Sequence, residues 1–341
     1  MTRVSPDRRR WLAAGMAAGL ALASGVRSAG ARAAPSTVAQ HGIGNASTST
    51  TPAGISLVSA KAGETAAAHL ATLDDFSTEL AVSLGLAPIA VANLTRYRQY
   101  VGIAAQHLAT ARSLGSPQQP DLDTLVRSRP DLIVGVDMLH RSLFARLASI
   151  APTVILDANL RPDGEDAVSR ATAMLHALAA FTGRQVQAHE VSTACARALA
   201  ESRRRVREHG YARRPVAVLF PLTREGSFIV SNQQTLIESV MRRLDLLQPW
   251  PLTSATALHR RLPWRALAAH PDVCVLFIGG QQASPFFDTP LWKDLPVARS
   301  GRFTFLDTPY WSFGGPVSAG RLAGQIREAI ERLPPVTSRT P

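Results

Sequence analysis

The stretch Arg129-Pro130-Asp131-Leu132-Ile133-Val134-Gly135 has a counterpart later in the chain, His270-Pro271-Asp272-Val273-Cys274-Val275-Leu276. Each stretch follows a segment typical of a helix, at 121–128 in the first case and at 263–269 in the second. Each is followed by a loop, a short helix with an aromatic residue and a closing strand. The repeat is too long for a solenoid, so it predicts two similar α/β lobes in one chain. Two lobes enclose a cleft, and such clefts hold ligands.

A long helix is predicted between the two lobes. From Glu165 to about Glu208 the sequence has no strand signal and is rich in Ala, Leu, Arg, Gln and Glu, with one soft break at Thr182-Gly183. About 40 residues of unbroken helix would be roughly 60 Å long at about 1.5 Å per residue. Because one rigid helix permits only small rocking of the lobes, we expect little domain movement on ligand binding.

The N-terminus has the features of an export signal. Arg8-Arg9-Arg10-Trp11-Leu12 precedes a weakly apolar run at 13–26, and Ala31-Arg32-Ala33 forms a small-x-small cleavage site. The run is too short and too rich in Ala and Gly for a membrane span, and the order of its basic and aromatic residues resembles a twin-arginine signal. We therefore expect a periplasmic protein. The predicted segments are a signal peptide at 1–33, a flexible tether at 34–66, an N-terminal α/β lobe at 67–164, an interlobe helix at 165–210 and a C-terminal α/β lobe at 211–335.

Charge and cysteine content narrow the function classes. The net charge is +12, but six arginines and Asp7 in the leader account for +5 of it, which leaves +7 on the mature chain. The other arginines are mostly scattered, so we expect no nucleic-acid partner and a mildly basic protein that meets anionic ligands. Cys195 lies in the predicted long helix and Cys274 in a predicted buried strand, so both are expected to be inert thiols.

No catalytic signature is present in the sequence. It has no Gly-x-Ser-x-Gly motif and no Walker A loop, Gly42-Ile43-Gly44 lacks the third glycine of a dinucleotide fingerprint, and His189-Glu190 lacks the second histidine of a zincin. We therefore expect a binding protein and not an enzyme, with no cofactor of its own and no metal held directly by protein side chains.

Aromatic and cationic side chains follow the predicted strands. In parallel α/β lobes the loops after the strands line the ligand crevice. Aromatic, arginine and histidine side chains together suit a bulky, partly apolar ligand that carries oxygen-rich negative charge. The candidate ligand contacts are Tyr97, Arg98, Tyr100, His140, Arg141, Arg224, His259, Tyr310, Trp311 and Phe313.

An ordered set of short segments carries a family resemblance from about His69 to Leu333. The segments are Leu73-Asp74-Asp75-Phe76-Ser77-Thr78-Glu79-Leu80, Tyr97-Arg98-Gln99-Tyr100-Val101, Pro120-Asp121-Leu122-Asp123-Thr124-Leu125, Thr289-Pro290-Leu291-Trp292-Lys293-Asp294-Leu295-Pro296 and the loop at 310–314. With them the chain resembles the periplasmic iron–siderophore binding proteins, and most of all those that bind ferric hydroxamates. The resemblance implies a class III, chelatase-like fold in which a long backbone helix joins two Rossmann-like lobes.

The resemblance also implies a ligand and partners. The ligand is expected to be a ferric siderophore chelate, held in a shallow aromatic cleft and handed to an inner-membrane ABC permease and its ATPase by a protein that we expect to be a monomer. Tyr100 corresponds to an aromatic wall residue of the family, and Trp311 and Phe313 to its C-lobe aromatic pair. One acidic residue on each lobe docks on the permease in the family. Glu79 and Glu238 match these positions and are expected to be exposed.

This chain departs from the family at its polar ligand contacts. The family's Arg and Tyr that reach the iron-bound oxygens correspond to Pro117 and His140, and a C-lobe polar contact falls near His259. Either other arginines replace the missing charge or the chelate is of another type. The candidate replacements are Arg98, Arg112, Arg141 and Arg224.

Other functions fit the same fold. A haem- or corrinoid-binding protein would use His140 or His259 as an axial ligand. An exported siderophore hydrolase would use one of those histidines as a base with Ser231 or Ser254, although the elbow motif is missing. A sensor partner that docks on a receptor would differ only in what the loaded protein meets.

Overall fold

The computed structural model describes most of the chain beyond the leader. The predicted signal peptide, most of the predicted tether, and the candidate contacts Arg224, Tyr310 and Trp311 lie outside the described residues. No helix in the described part is long and apolar enough to cross a membrane. The described residues are 53–59, 69–160, 165–222, 226–254, 256–278, 282, 284–306 and 313–335.

A six-stranded sheet forms the centre of the N-terminal lobe. Its strands are β1 Ile55–Val58, β2 Leu70–Thr72, β3 Ala90–Val91, β4 Arg112–Ser113, β7 Leu132–Val136 and β8 Thr153–Leu156, and the separate ribbon consists of β5 Gly115–Ser116 and β6 Gln119–Pro120. The strand order is β1-β8-β7-β2-β3-β4, and every neighbouring pair is parallel except β1 with β8. Every residue of β7 is buried, as its uninterrupted apolar sequence predicts for a central parallel strand.

Short helices connect these strands. They are α1 Asp75–Ser83, α2 Leu94–Arg96, α3 Leu122–Ser128, α4 Asp137–His140 and α5 Phe144–Ile150, with one π-helical turn at Tyr97–Val101 and 3-10 turns at Ala105–Leu108 and Arg141–Leu143. Carboxylates begin two of the helices: Asp74 accepts hydrogen bonds from the first amides of α1, and Asp121 accepts one from the amide of Thr124.

The predicted tether is partly wrong. Within it, β1 pairs with β8, so that Ile55 lies opposite Leu156 and Val58 opposite Val154. Ile55 is 7% exposed and belongs to the hydrophobic core of the lobe. Strand β1 has only four residues and lies in a segment rich in Ser, Thr and Gly, so its sequence shows little alternation of polar and apolar residues. For this reason the strand was not predicted from the sequence.

Two helices, not one, lie between the lobes: α6 Ala167–Thr182 and α7 Gln185–Glu208. Gly183 adopts a left-handed conformation (φ +67°) and ends α6. The His176 Nε2 and Ser192 Oγ atoms are 2.9 Å apart across a separation of 16 residues, which would be roughly 24 Å in a straight helix. The helices therefore fold against each other, and the prediction of one unbroken rod is wrong.

The C-terminal lobe contains a second, separate sheet. Its strands are β9 Val216–Leu222, β10 Ser227–Ser231, β11 His259–Pro263, β12 Cys274–Ile278 and β13 Phe303–Leu306. The order is β11-β10-β9-β12-β13, in which β9, β12 and β13 are parallel and β10 is antiparallel to both of its neighbours, β9 and β11. Two sheets, each combining parallel strands with helices, confirm the predicted two-lobe α/β architecture.

The helices of this lobe enclose an aromatic core. They are α8 Leu236–Arg243, α9 Arg265–Ala268, α10 Pro290–Asp294, α11 Pro296–Arg299 and α12 Pro316–Glu331, with a 3-10 turn at Pro285–Asp288. Phe277 lies at the centre, with ring centroids of Phe287 and Trp292 at 5.0 and 5.6 Å. Cys195 and Cys274 are free and buried, and burial raises their thiol pKa values to about 11 and about 12, as expected of unreactive thiols.

Candidate ligand-binding site

A small pocket marks the junction of the two lobes. Phe76 and Ala158 reach it from just past β2 and β8, and Phe313 and Gly314 reach it from the segment before α12. The remaining lining residues lie on α6. Because loops past the carboxyl ends of parallel strands line the ligand crevice of such folds, this junction is the candidate site. Its described part encloses only about 10 Å³, so it forms a floor and not a ligand-sized cavity.

Arg170 on α6 bridges the lobes at this floor. It is 6% exposed and donates hydrogen bonds to the carbonyl oxygens of Asn159, just past β8, and Gln234, just before α8 (3.2 Å for the second). Arg170 was not among the residues predicted from the sequence. The available signal was a cation within the buried stripe of α6, between Ala167 and Ala171.

Arg98 and Tyr100 lie on the N-lobe side, in the π-helical turn after β3. Arg98 is exposed and donates one hydrogen bond to the carbonyl oxygen of Leu108. Tyr100 is half-buried, and the guanidinium carbon of Arg96 lies 5.8 Å from its ring centroid. This distance permits a cation–π contact. The turn therefore presents Tyr100 and Arg98, and their contact with ligand stays a prediction.

Tyr97 in the same turn does not face the crevice. Its side chain is 0% exposed, its hydroxyl donates to the carbonyl oxygen of Ile103 at 2.9 Å, and burial raises the pKa of the phenol. The ring packs with Val101 and Leu108 in a core cluster. The prediction that Tyr97 contacts ligand is therefore wrong, because its ring is enclosed in the core and its hydroxyl is bonded within the lobe.

A half-buried carboxylate–amide pair supports the start of this turn. The Nδ2 group of Asn93 donates to both carboxylate oxygens of Asp75, at 3.0 and 2.8 Å. Asn93 has a left-handed backbone (φ 61°), which asparagine tolerates better than most residues. Burial and then the charge of Asp74 raise the pKa of Asp75 to about 7. The pair was not predicted, although an acid after β2 and an asparagine after β3 are its sequence signal.

His140 is fully buried and holds two loops together. Its Nδ1 atom accepts a hydrogen bond from the amide of Val136 at 3.0 Å, so the proton must be on Nε2, which lies 2.9 Å from the carbonyl oxygen of Pro117. Pro117 and His140, which the resemblance matches to the family's polar contacts, are thus bonded to each other. Both ring nitrogens are occupied, so His140 offers no free lone pair to a ligand or metal, and its prediction as a ligand contact is wrong in this conformation.

Arg141 pairs with the carboxylate at the start of α4. Its Nε atom donates to Asp137 Oδ1 at 2.8 Å, its Nη2 atom donates to Asp137 Oδ2 and to Ser56 Oγ, and these bonds hold the pKa of Asp137 below its usual range. The contact ties β1 to the end of β7. The Arg141 side chain is still 57% exposed, so a ligand contact stays a prediction.

On the C-lobe side the described residues include only two candidate contacts. His259 begins β11 opposite Ser231, and burial lowers its pKa to about 4, which leaves the ring neutral at pH 7. Phe313 is half-buried and packs against the core of the N-terminal lobe. Contacts by both residues stay predictions, as do those of Arg224, Tyr310 and Trp311, which lie outside the described residues.

The two proposed docking acids are not at the surface. Glu79 is 1% exposed, and its carboxylate accepts hydrogen bonds from the amide and hydroxyl of Ser318. Glu238 is also 1% exposed, and the side-chain amide of Gln248 donates to it at 2.8 Å. The prediction that both are exposed for permease docking is wrong, because each lies on the inward face of its helix.

Glu238 provides a pH test of this burial. Burial raises its pKa from 4.5 to about 7, so the folded chain binds its proton more tightly than the unfolded chain, and the stability that this proton contributes is lost as the pH rises from 4.5 through 7. Glu238→Gln keeps an acceptor for Gln248 without the charge. We expect the variant to be more stable than the wild type by about 2 kcal/mol at pH 8 and nearly equal at pH 4.5.

Urea unfolding at the two pH values measures this difference. Glu201→Gln is the matched control, because Glu201 is exposed and pairs with Arg204 on the surface of α7. Equal stability of wild type and Glu238→Gln at pH 8 would show that Glu238 is hydrated and not buried.

The family of the chain follows from comparison with known proteins. The family model described as periplasmic binding protein matches residues 70–310. The chain belongs to this family. Two curated relatives are a putative ABC transporter substrate-binding lipoprotein, YhfQ of Bacillus subtilis, and the Fe(3+) dicitrate-binding periplasmic protein FecB of Escherichia coli. YhfQ is 21% identical over 76% of this chain and 80% of its own length, and FecB is 24% identical over 72% and 79%.

A solved periplasmic binding protein also shares the fold. The Fe3+–Desferal-bound siderophore binding protein FhuD of Vibrio cholerae superimposes with a TM-score of 0.69 at 22% identity, over 78% of this chain and 99% of FhuD. This structural match confirms the predicted fold class, that of a two-lobed periplasmic binding protein. Members of the family are exported substrate-binding proteins of transport systems, which is the class of protein that the sequence predicted.

Proposed function

We propose that this protein captures a ferric siderophore at the lobe junction and delivers it to an inner-membrane ABC permease and its ATPase. The observation that carries the proposal is the match to the periplasmic binding protein family, together with a pocket at the junction of two α/β lobes. The exposed Arg98 and half-buried Tyr100, in the turn after β3, would supply contacts from the N-terminal lobe. The relatives support it, since FecB is named for ferric dicitrate and FhuD was solved with Fe3+–Desferal. We further propose that the ligand is a hydroxamate-type chelate and that the protein acts as a monomer.

The chemistry of the site suits a metal that arrives already coordinated. Within the described ranges, no three His, Cys, Asp or Glu side chains converge as a metal site. A siderophore satisfies the iron by itself, so the protein has to recognise only the outside of the chelate. Aromatic contacts contribute about 0.5–1.5 kcal/mol each, and a charged donor to a chelate oxygen contributes about 1.5–3 kcal/mol. Tyr100, Trp311 and Phe313 would supply the first kind and Arg98 the second.

We propose export through the leader at 1–33, with its twin-arginine-like order of residues. That route carries folded proteins, so the two lobes would assemble before export. A fusion of this leader to a reporter tests it: loss of export when Arg8, Arg9 and Arg10 are all replaced by Lys is the expected result, and unchanged export would assign the leader to another route.

A ligand panel tests the proposed function. Native mass spectrometry and quenching of intrinsic fluorescence with Fe3+–Desferal, ferric dicitrate and haemin should show one-to-one binding of the hydroxamate chelate in preference to the other two. Retention of haemin alone, with a sharp shifted Soret band, would refute the proposal.

Trp311→Ala is expected to weaken binding of Fe3+–Desferal at least about tenfold, because one large aromatic contact is lost. Fluorescence titration measures the change. Leu247→Ala is the control, since Leu247 is 47% exposed on the C-terminal lobe. An unchanged affinity in Trp311→Ala would remove Trp311 from the site.

The structure gives no support to haem ligation by His140, because both of its nitrogens are hydrogen-bonded. A hydrolase would use Ser231 or Ser254 together with a histidine base. The hydroxyl oxygen of Ser254 accepts hydrogen bonds from the amides of Thr256 and Ala257, as is typical of a turn residue. Chromatography of Fe3+–Desferal before and after incubation separates the classes: unchanged ligand is expected of a binding protein, and a cleaved ligand would indicate a hydrolase.

A further inference from the structure

The first turn of α12 is capped by a residue of the other lobe. The residue before α12 is Gly315, which has no side chain to cap it. Instead, the Oε1 atom of Glu79 on α1 accepts the amide of Ser318 at 2.8 Å, and its Oε2 atom accepts the hydroxyl of Ser318 at 2.7 Å. A carboxylate at this end of a helix satisfies free amides and meets the positive end of the helix dipole. The contact therefore joins the lobes at α12.

A side chain at Gly315 would displace this carboxylate. A Cβ atom on Gly315 would lie 2.9 Å from Glu79 Oε1 and 2.9 Å from Leu80 Cδ2, closer than such atoms approach. Burial raises the pKa of Glu79 above its usual value, and hydrogen bonds from the backbone of Gly315 and from Ser318 oppose that rise. The close approach of the segment to α1 is thus built into the sequence of the chain.

The residues on both sides of Gly315 pack into the N-terminal lobe. Phe313 contacts the cluster that contains Phe76, and Val317 contacts the cluster that contains Tyr97. One turn later on α12, the Nη1 atom of Arg321 donates to the carbonyl oxygen of Val101 at 2.8 Å. The same helix packs along α7 and follows β13 of the C-terminal lobe. Both lobes therefore share α12, and its N-terminal end is fixed to the N-terminal lobe.

We propose that Glu79 is a positioning residue of the candidate binding site. It holds the start of α12 against α1 and so fixes Phe313, two residues before Gly315, at the floor of the lobe junction. The cleft then has one width with or without ligand. The effect on ligand selectivity rests on the proposed function, whereas the effect on the lobe junction does not.

Three substitutions at this contact remove different hydrogen-bonding groups. Glu79→Ala leaves the amide and hydroxyl of Ser318 without their partner, in a place where water is excluded. Glu79→Gln keeps an acceptor for the amide and loses only the charge. Ser318→Ala removes the hydroxyl bond and keeps the amide bond. We therefore expect the largest effect from Glu79→Ala and the smallest from Ser318→Ala or Glu79→Gln.

Amide hydrogen exchange of the ligand-free protein tests the positioning role. In Glu79→Ala the amides from Phe313 to Ala319 should exchange at least about tenfold faster than in the wild type, and in Glu79→Gln no more than about threefold faster. Glu328→Gln, an exposed position on the same helix, is the control and should not change them. Unchanged exchange of this segment in a folded Glu79→Ala protein would overturn the proposal.

A distance measurement gives a second readout without ligand. Spin labels at Val126→Cys and Leu247→Cys, exposed positions on the two lobes, report the separation of the lobes. We expect one narrow distribution in the wild type and a broader one in Glu79→Ala. If Glu79→Ala does not fold, Gly315→Ala displaces the carboxylate by steric contact and should broaden the distribution in its place. A narrow, unshifted distribution in every folded variant would refute the role of Glu79.

Selectivity separates positioning from general stability. If Glu79 sets the width of the cleft, its loss should reduce discrimination between Fe3+–Desferal and the smaller ferric dicitrate. In Glu79→Ala the ratio of the two affinities should move toward one by at least about threefold, and in Glu79→Gln it should equal that of the wild type. An equal loss for both chelates would mark Glu79 as a structural residue and overturn the proposal. If the wild type binds neither chelate, the proposed function fails, while hydrogen exchange and the spin-label distances still decide the role of Glu79.

Discussion

Replacement of Gly135 by Ala is expected to lower the free energy of unfolding by about 3 kcal/mol. Gly135 lies in the buried strand β7, and a Cβ atom there would be 2.7 Å from Nδ1 and 3.0 Å from Cγ of His140. The ring is 0% exposed and has no free space to move into without breaking its bonds to Val136 and Pro117. The substitution therefore costs both steric strain and two buried hydrogen bonds. Urea unfolding followed by circular dichroism measures the loss.

A second glycine provides the control for this prediction. Gly324 lies inside α12, and a Cβ atom there would meet nothing within 4 Å. Because alanine favours helix more than glycine, Gly324→Ala should leave stability unchanged or raise it by about 1 kcal/mol. A Gly135→Ala protein as stable as the wild type would show that the His140 ring does not lie against β7.

The same geometry links stability to the candidate site. Pro117 lies in the turn between β5 and β6, and its carbonyl oxygen is 2.9 Å from His140 Nε2. His140 therefore connects the end of β7 with this turn. The resemblance matches both residues to positions of the family's polar ligand contacts. This bond keeps the His140 ring and the Pro117 carbonyl oxygen inside the lobe. The proposed charged contact with the ligand is therefore sought at the exposed Arg98 in the turn after β3.

The lobes could be predicted from the sequence because their signals are local. The stretch at 129–135 contains most of β7 Leu132–Val136, since a run of apolar residues between Pro130-Asp131 and Asp137 favours a buried strand. The repeated cassette gave the second lobe by the same argument. The prediction of a single helix over 165–208 was only partly correct. The residues on both sides of Gly183 favour a helix, but Gly183 itself forms a sharp turn between two helices.

The buried acids could not be predicted from local sequence. Glu79 lies among polar residues of α1, and its partner Ser318 is 239 residues away, so nothing near Glu79 indicates that it is covered. Tyr97 and Tyr100 illustrate the same limit within one turn: both are aromatic residues after β3, yet one is 0% exposed and the other half-buried. Burial depends on the packing of distant elements, which helical position alone does not specify.

Replacement of Arg98 by Ala is expected to weaken binding of Fe3+–Desferal by about ten- to a hundredfold, because a charged hydrogen-bond donor contributes about 1.5–3 kcal/mol. Among the described residues, its guanidinium makes one hydrogen bond, to the carbonyl oxygen of Leu108. That bond orients the guanidinium. Because the side chain is exposed, its other N–H donors remain accessible from the solvent. Isothermal titration with the chelate measures the change.

Two further variants separate the contribution of charge from that of geometry. Arg98→Lys keeps the charge but lacks the planar fork of donors, so its affinity should lie between those of the wild type and Arg98→Ala. Arg127→Ala on α3 removes an exposed arginine that bonds to Thr124 and should bind the chelate as the wild type does. If Arg98→Ala binds as tightly as the wild type, the charge must come from Arg112, Arg141 or Arg224. Because Arg141 is already paired with Asp137, its substitution would then also weaken the attachment of β1, which a stability measurement would detect.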